Sequence, residues 1–240
     1  SVFTQARPDS LFYPHLKPSL GCVLDLKGRP FSGGTILDNS PYGNHGAITG
    51  ATWVRLPSGL WVPSFDGVDD YVNIGTSTTT NPANTMTLEA WVYPTNLTQA
   101  ANFSIIARDV VNQRAYYFNL KTTTGYVSFA ISKAVAGDFT TITATDNACP
   151  QDTWSHIRAT YRFVTDGTSL MYAYRNDVLV ASSTTAVGPI VTTTGSTWVG
   201  RREFAPPSDQ PFPGRIASPR VFNGIAVSHF NREKHLFGVW

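Results

Sequence analysis

The chain alternates apolar and polar residues over short stretches, and turn-forming residues separate one stretch from the next. Thr87-Leu88-Glu89-Ala90-Trp91-Val92-Tyr93 shows the pattern most fully. Leu88, Ala90 and Val92 fall on one face, Thr87, Glu89, Trp91 and Tyr93 on the other, and Pro94 ends the run. Successive strand side chains point to opposite faces, so this spacing predicts a two-faced strand. Just upstream, Ser64 to Gly75 reads as strand, tight turn, strand. Its Asp66-Gly67 pair predicts a hairpin, because glycine accepts the positive φ that such turns need.

The same pattern recurs along the rest of the chain. Cys22 to Leu26 is the first predicted strand, and Ala47 to Thr49 and Thr52 to Arg55 follow as short ones. Beyond Pro94 come Ser104 to Arg108, Tyr116 to Leu120, Tyr126 to Ile131, a Thr-rich edge over 138–145, and Trp154 to Tyr161. Ser169 to Tyr174 and Val178 to Ser182 flank a turn at Arg175-Asn176-Asp177, and Thr197 to Gly200 and Gly214 to Phe222 close the series. Only Ser228 to Leu236 predicts a helix, with Ser228 as its N-cap and Gly238 as its stop. Strands recurring about every 8–12 residues predict an all-β, antiparallel two-sheet sandwich of jelly-roll type. Residues 19–240 show no repeat and no break in composition, so they read as one domain. An extended arm over 1–18 precedes it, punctuated by Pro8, Pro14 and Pro18.

Composition narrows the partners. Charged residues make up 14% of the chain, against about 25% in ordinary domains. A net charge of +2 gives no broad field, and no basic cluster stands out beyond Arg201-Arg202. That argues against nucleic acid, and no apolar run long enough to span a bilayer argues against membrane insertion. No charged-then-apolar leader is visible in this chain. Cys22 and Cys149 either form one bridge or stay as two buried thiols; disulfide frameworks usually carry four or more cysteines, which favours thiols.

Several segments resemble, in order, the laminin-G-like modules of the concanavalin-A-like jelly-roll superfamily. Asp38-Asn39-Ser40-Pro41-Tyr42-Gly43-Asn44-His45-Gly46 is similar to its Asn-His-Gly loop, and Phe65 to Val72 to its Phe-Asp-Gly hairpin. Thr87 to Pro94 and Trp154 to Tyr161 match its Trp-containing strands, and Phe212 to Ile216 through Leu236-Phe237 its closing strand and helix. The resemblance implies the same fold. Members of the family often hold calcium between that loop and an acidic pair on the closing strand. Here those acidic places are Ala217 and Ser218, which removes hard oxygen ligands, so no cofactor is expected; if a calcium site forms at all, Asp38 and Asn44 are its candidate ligands. The resemblance also implies either secretion or display on a phage particle, and hence an extracellular or virion-surface location.

Enzymes of the superfamily work with paired carboxylates about 5–5.5 Å apart. This chain has only Glu89, Glu203 and Glu233 as glutamates, no two close in sequence, and no Glu-x-Asp-x-Glu array. The expectation is therefore a non-catalytic binding or structural module on a larger particle or surface, with a glycan as its expected class of ligand. The alternatives are a purely architectural protein and a glycoside hydrolase or lyase. Sugars present both CH faces and hydroxyls, so aromatic and charged loop residues are the candidate contacts: Trp53, Trp61, Trp198, Arg201 and Arg202. Trp91 and Trp154 read as core. Asp66, Asp69 and Asp70 form a second acidic cluster, read as turn chemistry. The aromatic ends, Leu11-Phe12-Tyr13 and Leu236 to Trp240, are candidates for docking, to this domain or to partner proteins in self-assembly.

Overall fold

A computed structural model describes residues 20–27, 33–99, 101–202 and 210–239. The arm 1–18, Glu203, Phe204 and Trp240 lie outside the described residues. In chain order the strands are β1 (Cys22–Lys27), β2 (Thr35–Asp38), β3 (Gly46–Thr49), β4 (Thr52–Arg55), β5 (Trp61–Asp66), β6 (Tyr71–Gly75), β7 (Thr85–Pro94) and β8 (Phe103–Val110). They continue as β9 (Gln113–Leu120), β10 (Val127–Ser132), β11 (Phe139–Thr143), β12 (Ser155–Arg162), β13 (Ser169–Arg175), β14 (Val178–Ala186), β15 (Thr197–Val199) and β16 (Pro213–Asn223).

Every described strand pairing is antiparallel. One layer runs β11-β10-β9-β8-β15-β6-β3-β2, and the other runs β1-β16-β7-β12-β13-β14, with β5 on β16 and β4 on β5. A short β1–β2 pairing, Leu26 opposite Asp38, joins the layers at one edge. The main core lies between them and takes Leu88, Ala90 and Val92 from β7, as their alternation predicts. Ile157, Ala159 and Tyr161 of β12 and Phe118 of β9 join it.

The expected hairpin at Asp66-Gly67 is corrected by the pairing. β5 pairs with β4 and β16, whereas β6 pairs with β3 and β15, so the turn carries the chain from one layer to the other. Its local chemistry is that of a turn. Gly67 sits at φ +79°, Asp66 Oδ1 accepts from the Val68 N–H at 2.8 Å, and Asp70 Oδ2 accepts from the Asp66 N–H at 2.8 Å. Sequence alone marks the turn and not which strands it joins, because pairing is decided by partners far away in the chain.

The turn between β13 and β14 is as read: Asn176 and Asp177 both have positive φ, the geometry of a two-residue hairpin loop. The predicted helix is shorter than expected. Phe230–Glu233 is α-helical and Lys234–Phe237 continues as a 3-10 turn, stopped by Gly238 at φ 68°. Ser228 still accepts from the Phe230 N–H, although His229 occupies the cap position.

Candidate functional site

The C-terminal segment returns over the outer face of β7, the face that alternation leaves to Thr87, Glu89, Trp91 and Tyr93. There a second apolar cluster forms from Leu56, Leu60, Val62, Trp91, Trp154, Ala217 and Phe237. Phe237 stacks on Trp91 with centroids 4.3 Å apart, and Phe230 lies 5.8 Å from the same indole. Leu236 and Val239 pack against this cluster, so the aromatic tail up to Val239 docks on its own domain. Trp91 and Trp154 are buried, as the sequence suggests.

Beneath that cover lies a buried polar network centred on Arg220. Its Nε donates to Asp25 Oδ1 at 2.9 Å, and its Nη1 donates to Glu89 Oε1 at 3.0 Å. Nη1 and Nη2 together grip the two oxygens of Glu233, the bidentate arrangement that suits a guanidinium. Trp91 Nε1 donates to Glu233 Oε2 at 3.0 Å, so one indole is held both by ring stacking and by a carboxylate. Lys27 Nζ lies 3.0 Å from Asp25 Oδ2. His229 Nδ1 contacts Glu89 Oε1, and His156 Nε2 lies 3.4 Å from Glu89 Oε2.

Burial by itself would raise the Glu89 carboxyl; the imidazoles of His156 and His229 and the charge of Arg220 outweigh it and hold it well below the usual carboxylate range. Arg220 runs the other way: burial would lower it, but Glu233, Asp25 and Glu89 hold it well above its ordinary value. Glu89 and Glu233, the two glutamates weighed as catalytic candidates that the structure describes, therefore both face one cation and not an open cleft. Sequence reasoning missed Arg220 as their partner. Its parity is set by a bulge between Ala217 and Arg220, with Ser218 at φ 47°, which strict alternation does not announce.

The sequence-predicted ligand contacts fall into two groups. Trp53 stands opposite Pro63 and Trp61 opposite Arg55, which puts both half-buried indoles on one face of the β4–β5 ribbon. Trp198, on β15, is 7% exposed and packs edge-on to Tyr71 at 4.7 Å, with the Arg201 guanidinium 5.4 Å from the same Tyr71 ring. Its Nε1 is buried without a hydrogen-bond partner. Arg202 Nη1 lies 3.0 Å from Asp109 Oδ2 and 5.5 Å separates its guanidinium from the Tyr117 ring. Burial pushes the Asp109 carboxyl up, and Arg202 and Arg114 offset this only in part.

The candidate metal loop is closed on itself. Asp38 Oδ1 accepts from the N–H groups of Asp25 and Ser40 at 2.8 and 2.9 Å. Its Oδ2 accepts from Ser40 Oγ at 2.6 Å and from the Asn44 N–H at 2.7 Å. Asn44 Nδ2 donates to Val23 O at 2.7 Å and to Thr79 Oγ1 at 2.9 Å. A hard cation wants about 6–8 oxygen ligands, and these oxygens already serve as a lock between the loop, β1 and the turn at Thr79. Cys22 and Cys149 are free, buried thiols, raised by burial to about 12 and about 11.

Comparison with known proteins places this geometry. A family model described as concanavalin A-like lectin/glucanases superfamily matches residues 66–228. No curated protein matches the sequence. Among solved structures, the binding domain of Paraclostridial Mosquitocidal Protein 1 superposes with TM-score 0.65 at 12% identity, over 90% of this chain and 52% of that one. A botulinum neurotoxin type C structure, described as dependent for cell entry on two ganglioside molecules, gives TM-score 0.63 at 13% identity, over 91% and 51%. Domain 4 of AbnA, an extracellular GH43 arabinanase from Geobacillus stearothermophilus, in complex with arabinotriose, gives TM-score 0.62 at 16% identity, over 90% and 98%. The chain thus spans about half the length of the two toxin chains, 52% and 51%. At such identities these likenesses speak for the fold. With the family model matching more than half of its length, the chain belongs to the concanavalin A-like lectin/glucanases superfamily, as a laminin-G-type sandwich.

Proposed function

We propose that this chain is a non-catalytic recognition module that binds glycans and works as a displayed part of a larger particle or surface, such as a virion decoration or a tail-associated protein. The observation that supports it is the Arg220 network. Glu89 is fully buried, and Glu89, Glu233 and Asp25 are all committed to one guanidinium, so none is placed to protonate a glycosidic oxygen or to attack a sugar. The glycan half of the reading draws on the neighbours, one described with ganglioside and one with arabinotriose. In this reading Trp53 and Trp61 offer one stacking surface, and Arg201, seated with Trp198 on Tyr71, and the adjacent Arg202 offer a second, charged one. The arm 1–18 then serves attachment to the particle.

A glycan array run with size-exclusion light scattering tests the proposal. Glycan binding that falls with Trp61→Ala supports it. A defined oligomer with no glycan bound favours the architectural alternative. Release of reducing sugar, abolished by Glu89→Gln, favours the hydrolase.

A further inference from the structure

Beyond the edge of the C-terminal cover, the outer face of β12 and β13 opens into a groove of about 220 Å³. Register builds it. Arg158 stands opposite Tyr174, Thr160 opposite Tyr172, and Arg162 opposite Leu170, three successive cross-strand pairs on one face. Ile225, 55% exposed, forms the wall on the side of the C-terminal segment. The Arg158 guanidinium lies 4.1 Å from the Tyr174 ring centre, and its Nη1 donates to Ala226 O at 3.3 Å. Its Nε is buried with no partner. Among the described residues neither Arg158 nor Arg162 has an ion-pair partner, although the carboxylates of Asp25, Glu89 and Glu233 on the same sheet and its cover are paired. Glu89 is opposite Arg158 in register, but its oxygens are taken by Arg220, His156 and His229.

We propose that this groove binds the carboxylate-bearing residue of an acidic glycan. Two cations on one face without a counter-charge among the described residues call for an anion, and a guanidinium fork fits a carboxylate better than any other side chain does. Tyr172 and Tyr174 supply the apolar surface that a sugar ring needs on its CH face, and Thr160 a hydroxyl beside it. The volume is below the roughly 300–1,000 Å³ of drug-sized sites, so it takes one ring of a chain and leaves the neighbouring rings along the surface. A peptide is disfavoured by the backbone: β12 is paired on both sides by β7 and β13, and β13 by β12 and β14, so no strand edge is open for an added strand. The inference rests on the glycan reading above but uses none of the residues named there.

The test is titration calorimetry of the full chain with a glucuronic-acid-containing tetrasaccharide, its carboxyl-reduced neutral form and a Glu-rich peptide. The expected result is binding of the acidic sugar only. Arg162→Gln, at an exposed side chain without a partner, is expected to weaken it by about tenfold, and Arg162→Lys to restore part of it. Tyr172→Ala is expected to weaken it with the charges intact. Equal binding of acidic and neutral sugars, unaffected by Arg162→Gln, overturns the groove and leaves glycan recognition standing at another surface. Binding of the peptide alone, sensitive to Arg162→Gln, overturns it in favour of a protein ligand. Absence of binding by both sugars and by the peptide overturns the groove, and if the glycan array is also blank the glycan reading falls with it.

Discussion

Arg220 on β16 and Glu89 on β7 are direct partners in the strand register, and their Nη1 and Oε1 atoms meet at 3.0 Å beneath the C-terminal segment. The pair joins the centre of one sheet to the elements that cover it, because the same guanidinium also grips Glu233 of the short helix and Asp25 of β1. Isolated ions are costly to bury, and the cost is offset here by ion pairing and by the hydrogen bonds that Arg220 donates from all three guanidinium nitrogens.

Arg220→Met is expected to destabilise the fold strongly. It leaves three buried carboxylates facing one another, and breaking a buried ion pair on one side typically costs about 3–5 kcal/mol. Urea unfolding followed by tryptophan fluorescence measures it.

The network also sets an acid limit. Glu89 has a folded-state pKa held below its ordinary value of 4.5. Its contribution is therefore complete above that value and is lost as pH falls through the lower, folded one. The urea midpoint of the native chain should fall as pH drops below about 4.5, where the unfolded-state group starts to bind protons. In Glu89→Gln, already less stable at neutral pH, that slope should be shallower.

Phe237 holds the tail against Trp91 and Trp154, at 4.3 and 4.8 Å between ring centres. Phe237→Ala should cost about 3–5 kcal/mol, with a red shift in emission as the two indoles lose their cover. An unchanged spectrum and midpoint would mean that the tail is not seated there.

Cys22 and Cys149 should be inert in the folded chain. Both thiols are buried and raised to about 12 and about 11, which leaves almost no thiolate at neutral pH. A chromogenic disulfide reagent should detect no thiol before unfolding and both after it.

Asp38 should matter more as an acceptor than as a metal ligand. Its carboxylate takes hydrogen bonds from Asp25, Ser40 and Asn44, so Asp38→Ala leaves several buried donors unpaired, at about 1–3 kcal/mol each. Thermal melts of the native chain with calcium and with chelator should coincide; a clear rise in Tm with calcium that Asp38→Ala abolishes would show that the loop opens to hold the ion.

Much of the strand pattern could be read directly. Leu88, Ala90 and Val92 face the main core, and Asn176-Asp177 makes the turn it signals, because both features depend on neighbours within a few residues. The β5–β6 turn was legible as a turn but not as a crossing between layers. Of the candidate contacts, Trp198 and Arg201 meet on Tyr71, a residue that sequence reading passed over as part of a hairpin. Arg158 and Arg162 read only as the polar half of a strand; that they flank two tyrosines depends on the β12–β13 register.

Alternation and turn residues by themselves determined a two-layer antiparallel β protein, since period-two spacing is a local property of the backbone. Tertiary structure decided which polar residues are buried and with whom. Glu89 lies 131 residues from Arg220, and Glu233, 13 residues beyond Arg220, reaches the same guanidinium only because the last segment packs back on the sheet. Charge pairing acts through space rather than along the sequence, so a lone glutamate on a strand face carries no mark of the partner that neutralises it.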